Sequence, residues 1–87
     1  MDNQINHLRK QVIDTVRLYQ SGELIIDKLA TRITHMGLFD DRLMDAVWDS
    51  DPELATIVEH LAPDLEVDPD NQDYIALIVA YASQHGA

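Results

Sequence analysis

From the N-terminus, apolar residues recur at Ile5, Leu8, Val12, Val16 and Tyr19, three and four positions apart, with polar residues between them. On a helix that spacing forms one apolar stripe, so it predicts a first amphipathic helix. Asp2 or Asn3 can cap its start, and Ser21-Gly22 supplies a stop. Ile25, Leu29, Ile33 and Met36 repeat the pattern and predict a second helix ending at Gly37. Asp40 is placed to cap a short third helix carrying Leu43, Val47 and Trp48. Asp51-Pro52 then sets a cap before a proline at the first helical position, with Leu54, Ile57, Val58 and Leu61 behind it. Asp68-Pro69 repeats that start signal for a last helix ending near His85-Gly86.

No segment alternates apolar and polar residues in the manner of a strand. The stretch "APDLEVDP", Ala62 to Pro69, is expected to cross the surface as a loop. The last helix is apolar nearly all round, through Tyr74, Ile75, Leu77, Ile78, Val79 and Tyr81, which predicts that it lies at the centre. The expected fold class is all-α, a compact bundle of four to five short helices forming a single domain over residues 1–87. A chain of this size buries only about 60% of its unfolded surface. That suffices for one core and leaves little room for a deep cleft.

Charge changes the picture. The chain has 16 Asp and Glu against 6 Lys and Arg, a formal charge of -10. All the basic residues (Arg9, Lys10, Arg17, Lys28, Arg32, Arg42) lie within the first 42 positions, where six acids balance them. From Leu43 to Ala87 there are ten acids and no Lys or Arg, so the whole net charge arises there. Such asymmetry governs long-range fields and partner choice rather than fold.

Some of these acids have local roles. Asp51, Glu53, Asp68, Asp70 and Asp73 sit at or near expected helix starts, where the helix dipole favours each by about 0.3–1 kcal/mol. Others work against folding. Asp41, Asp45 and Asp49 are four apart and share one face of the third helix, a like-charge spacing that costs about 0.2–0.5 kcal/mol per pair. Glu59, Asp64 and Glu66 add charge around the next helix and its exit. Trp48, beside Asp49 and just before a helix break, suits either the core or a half-exposed anchor for a partner. These six acids and Trp48 form the candidate partner-binding set. A solvated face that keeps the chain soluble is one account of them. Docking on a strongly basic partner is the other, and the like-charge ladder favours it.

Several chemistries are disfavoured. With no cysteine, there are no disulfides, thiolate metal sites or cysteine nucleophiles. Asp68-x-Asp70-x-Gln72 resembles the start of a calcium loop, but a proline follows the first ligand, Asp73 replaces the turn glycine and Val79 replaces the bidentate glutamate. His7, His35, His60 and His85 have no metal-ligand spacing, and the last three fall in expected last turns of helices, where a cation is favoured. Glu59 and His60 are adjacent and point about 100° apart on a helix, a poor catalytic dyad. No enzymatic activity, cofactor or metal is expected. Direct nucleic-acid binding needs clustered Lys or Arg, which half of the chain lacks. The N-terminus lacks the basic-then-apolar order of a secretory signal. The longest apolar run, "YIALIVAYA", is far short of the roughly 20 residues that span a bilayer. A cytoplasmic, soluble chain is expected, either a monomer or a homodimer.

The stretch "LYQSGELIIDKLATRI", Leu18 to Ile33, ends one helix at a Ser-Gly-Glu turn and opens an apolar-periodic second one. With the size, acidity and lack of cysteine, it resembles bacteriocin immunity proteins of the colicin D immunity type. The resemblance implies a helical bundle that binds a basic nuclease toxin and blocks its cleft with carboxylates standing in for RNA phosphates. The leading expectation is therefore a bacterial, immunity-type inhibitor of a basic protein, foremost a ribonuclease toxin. The alternatives are a helical adaptor that self-associates through apolar faces, and a DNA mimic that occupies a DNA-binding protein.

Overall fold

The computed structural model describes residues 2–38 and 41–86. Its helices are α1 (Asp2–Gln20), α2 (Ile26–Met36), α3 (Asp41–Ser50), α4 (Pro52–Thr56), α5 (Ala62–Val67) and α6 (Gln72–His85). A turn of π-helix (Ile57–Leu61) joins α4 to α5, so the chain runs helically from Pro52 to Val67. Among the described residues there is no strand, and the expected all-α bundle is what forms.

The helix boundaries follow from local chemistry. α1 ends in a Schellman turn: the Glu23 N–H donates to Leu18 O at 3.0 Å and the Gly22 N–H to Tyr19 O at 3.2 Å. Gly22 takes φ +84°, the left-handed conformation that such a turn needs and glycine adopts without penalty. Gly37 ends α2 for a different reason. Its backbone is right-handed, but a Cβ there would sit 2.5 Å from Val58 Cγ1. The missing side chain lets the end of α2 close on the π turn. The cap expected at Asp40 lies outside the described residues. Asp51 caps α4 as anticipated, with its carboxylate accepting from the Leu54 N–H at 3.2 Å and Pro52 at the first helical position.

Two expectations fail between residues 62 and 71. "APDLEVDP" is largely helix, and Ala62 and Leu65 are fully buried. Pro63 inside a helix would clash with the carbonyl four residues back and lacks its own N–H. The π turn just before it widens the helix, and the Ala62 N–H reaches back five residues to Ile57 O. The helical rod from Pro52 to Val67 therefore continues past the proline where it would otherwise stop. The last helix likewise starts three residues later than Asp68-Pro69 suggests. Asn71 is its cap, accepting from the Tyr74 N–H at 3.2 Å, and Asp68 ends α5 instead. Of the acids expected to support that helix start, Asp73 lies in the first turn while Asp68 and Asp70 precede it.

α2 packs on α5 and the π turn, α3 on α4 and α1, and α6 on α1 and the π turn. The molecule measures 32 × 28 × 19 Å. A thickness of 19 Å holds about two helix layers at 8–10 Å spacing, so every helix keeps an outer face. That corrects the expectation that α6 is central. Ile75, Ile78, Tyr81 and Ala82 face inward, but Ala76, Leu77 and Ala80 face out. The largest fully buried side chains come from every helical segment: Val12 and Val16 of α1, Leu29 and Ile33 of α2, Val47 of α3, Leu54, Val58 and Leu65 of the rod, and Ile78 and Tyr81 of α6.

Candidate functional site

The candidate acids all sit on solvent-facing positions. Asp41, Asp45 and Asp49 occupy the exposed face of α3, opposite buried Met44 and Val47. Glu59 is exposed on the π turn, and Asp64 and Glu66 are exposed on α5. Among the described residues the one salt bridge is Arg9–Asp51, so none of these six carboxylates has an ion-pair partner there, although Arg42 is exposed on α3 one turn from Asp45. With a single cation, Arg42, exposed beside them on α3, the six acids leave a predominantly negative field directed outward.

α3 and the rod meet at Asp51 and fold back on each other. This brings part of the candidate set together. Asp41 and Glu59 line one shallow groove with Thr34, Gly37, Leu38, Val58 and Pro63, at the junction of the α2 end with the π turn. At the other end of α3, half-buried Trp48 meets the exposed His60 ring edge-on, with centroids 5.7 Å apart. His60 was expected at a helix terminus. It lies mid-rod, because the helix continues through Pro63, and its neighbour is an indole rather than a run of free carbonyls. The surface formed by α3 and the π turn therefore combines an aromatic pair with the Asp41–Asp45–Asp49 row and Glu59. Asp64 and Glu66 are exposed further along the rod, on α5, but two positions apart they point about 200° from each other, so the structure does not bring both onto this surface.

A second constellation, not anticipated from the sequence, ties three distant parts of the chain together. Asp51 is buried, and its Oδ2 accepts from the Tyr81 hydroxyl at 2.7 Å. The same oxygen accepts from Arg9 Nη2 at 3.0 Å and Nε at 3.3 Å. Arg9 Nε also donates to the Tyr81 hydroxyl at 3.1 Å, and Nη1 donates to Asn6 Oδ1 at 2.8 Å. Oδ1 of Asp51 remains on the Leu54 N–H as the cap of α4. Burial by itself pushes the Asp51 carboxyl up. The hydrogen bonds from Tyr81, Leu54 and Arg9 outweigh that and hold it below the ordinary aspartate value. Burial and the adjacent Asp51 carboxylate push the Tyr81 hydroxyl well above the usual tyrosine range. Both groups are thereby fixed in the states that bond best, an anion and a neutral phenol.

This cluster forms a clasp joining α1, the Asp51 corner and α6. Each of its polar atoms is already occupied by a neighbour, and no buried side-chain nitrogen or oxygen among the described residues lacks a partner. Nor does any group of three or more His, Asp or Glu among the described residues have metal-binding geometry. Of the remaining cations, Lys28 and Arg32 are exposed on α2 and Arg42 on α3, while on α1 Lys10 and Arg17 line a shallow depression with Asp14 and His85, and an Arg17 guanidinium N–H donates to the Gly86 carbonyl at the end of α6. Two histidines keep their expected places, His35 in the last turn of α2 and His85 in that of α6. His85 also stacks on the Tyr81 ring at 4.2 Å between centroids. Among the described residues no helix is long and apolar enough to cross a membrane.

No protein-family model matches the chain, and searches of curated proteins and of solved structures find no significant match.

Proposed function

We propose that the protein is a small acidic inhibitor that docks on a basic protein partner, foremost a ribonuclease toxin, and covers its phosphate-binding groove. The observation that carries this reading is the unneutralised acidic surface. From Leu43 onward every acid except Asp51 is exposed and without a salt-bridge partner among the described residues. The docking face is assigned to α3 and the π turn. There Asp41, Asp45, Asp49 and Glu59 take the positions of phosphates, Asp64 and Glu66 extend the field, and Trp48 supplies an apolar anchor. Carboxylates at such spacing raise the encounter rate with a cationic surface and fix its register. A half-exposed indole supplies the contact that slows dissociation.

The reading is tested by capture from nuclease-treated source-cell lysate at low salt and at about 0.5 M salt, where the screening length drops to a few ångström. A basic protein held at low salt and weakened at high salt supports it. The captured protein then serves for kinetics. Asp45→Asn with Asp49→Asn should slow its association about threefold to tenfold and flatten the salt dependence. Association kinetics identical to those of the unaltered chain would remove this face from the proposal.

A further inference from the structure

An apolar groove of about 250 Å³ lies between the rod and α6. Pro52, Thr56, Ile57 and Leu61 line it from the rod, and Leu77 and Tyr81 from α6. Leu77 is 55% exposed, the one large apolar side chain on the outer face that it shares with Ala76 and Ala80 among the described residues of α6. The Tyr81 ring is fixed by the hydroxyl bonds to Asp51 and Arg9, so that wall of the groove is preformed. A preformed apolar groove loses little ordering entropy when filled.

The rim is acidic. Glu53 lines the groove, and Asp73 stands one turn before Leu77 on the same face of α6. Both are exposed, and every lining residue belongs to the part of the chain that has no Lys or Arg. A second copy of this chain would bring two such rims together in molecules already carrying -10 each, so the charge opposes self-association here. An apolar floor with an anionic rim complements an amphipathic helix whose polar flanks are cationic.

We infer that this groove receives an amphipathic helix of the cationic partner, with leucine-like side chains against Ile57, Leu61 and Leu77 and Lys or Arg over Glu53 and Asp73. The inference rests on the cationic-partner reading and adds to it a second contact, separate from the Trp48 face, together with the chemical class of the segment that fills it. Apolar seating gives this contact a dependence on helical register that a diffuse acidic surface does not impose.

The probe is a labelled peptide of about five helical turns, with Leu at i, i+3, i+4 and i+7 positions and Lys elsewhere. Fluorescence anisotropy should show binding that weakens at least about tenfold in Leu77→Arg, the loss expected for one central anchor. Val67→Arg places the same charge at an 88% exposed position that does not line the groove, and should leave binding within about twofold. A peptide of identical composition with its Leu and Lys order scrambled should bind at least about tenfold more weakly. Amide shift changes in the unaltered protein, centred on Thr56, Leu61 and Leu77, report the site without relying on any variant. Equal binding of the scrambled peptide, or shift changes confined to α3, would overturn the inference. So would a dimer in sedimentation that Leu77→Arg dissociates, since a second copy would then own the groove. If the groove fails while Asp45→Asn with Asp49→Asn still slows binding of a captured basic protein, this inference falls alone. If neither the peptide nor any basic protein binds, the cationic-partner reading falls with it.

Discussion

Asp51 has two separable roles, and Asp51→Asn separates them. Asparagine caps helices about as well as aspartate, so the bond from the Leu54 N–H is retained. What is lost is the anion at Oδ2. The Tyr81 hydroxyl, 2.7 Å away, gives up a bond to a charged acceptor, worth about 1.5–3 kcal/mol. The Arg9 contact adds less, because the guanidinium side chain is 27% exposed and solvent screens it, to about 0–1 kcal/mol. The expected loss is about 2–3 kcal/mol, a large share of the stability of a chain this short. In urea, with a slope of about 1 kcal/mol per molar for a small domain, the midpoint should fall by about 2–3 M at unchanged slope. Asp68→Asn makes the same change in net charge at an exposed position and should shift the midpoint by less than about 0.5 M. That control matters because removing any negative charge from a chain at -10 relieves some repulsion. Equal shifts in the two variants would refute the clasp as a source of stability. Asp51→Ala should cost about 1 kcal/mol more than Asp51→Asn, since the cap is lost as well.

The clasp also contributes to the pH dependence of stability. Asp51 has a lowered folded pKa, so its contribution is complete above the unfolded value of 3.8 and disappears as pH falls from there through the folded value; Asp51→Asn should flatten that acid limb in urea titrations. Tyr81 has a raised pKa, so its contribution is complete below the unfolded value of 10.0 and is lost as pH rises beyond it; Tyr81→Phe should remove that share of the alkaline decline. Gly37→Ala should destabilise by about 1–3 kcal/mol through the clash with Val58, and Val58→Ala in the same chain should recover part of the loss in a double-mutant cycle. Gly22→Ala meets nothing within 4 Å, so its cost of about 1–2 kcal/mol is conformational, and Gly22→Asn should cost less in the same thermal melts. Asp45→Asn with Asp49→Asn removes both like-charge pairs of the row and should leave the isolated protein more stable, by about 0.4–1 kcal/mol, while weakening the proposed partner contact.

Much of the fold is legible along the chain because the relevant signals are local. The Ser21-Gly22 stop and the Asp51-Pro52 start each involve bonds spanning five residues or fewer, and both occur as expected. The segment from Ala62 to Pro69 misleads because a proline normally marks a break, and sequence periodicity does not reveal a π turn that accommodates it. α6 misleads because composition is not placement. In a molecule two helix layers thick, an apolar helix still leaves Leu77 outside.

The candidate site divides in the same way. The exposure of Asp41, Asp45, Asp49, Glu59, Asp64 and Glu66 follows from helical phase, since each is out of step with the apolar stripe of its own segment. The pairing of Trp48 with His60, and of Asp41 with Glu59, depends on how α3 folds back at Asp51, which no local pattern specifies. The clasp was the least visible feature. Tyr81 looks like core and is core, at 2% exposed, yet its hydroxyl required a buried partner. That unmet hydroxyl was the one signal in the sequence pointing to it, and the partners lie 30 and 72 residues away.

Those separations bear on the order of folding. The Asp51 cap and the α3–α4 corner form between neighbours in sequence, so they can be in place early, whereas the Tyr81 and Arg9 bonds must wait until both ends of the chain have docked on the middle. Until then a carboxylate destined for burial stays hydrated, and its later dehydration is coupled to the arrival of α1 and α6 together. Substitutions at Tyr81 should therefore act mainly on the unfolding rate and those at Leu54 more on the folding rate, so the clasp holds the native state closed kinetically.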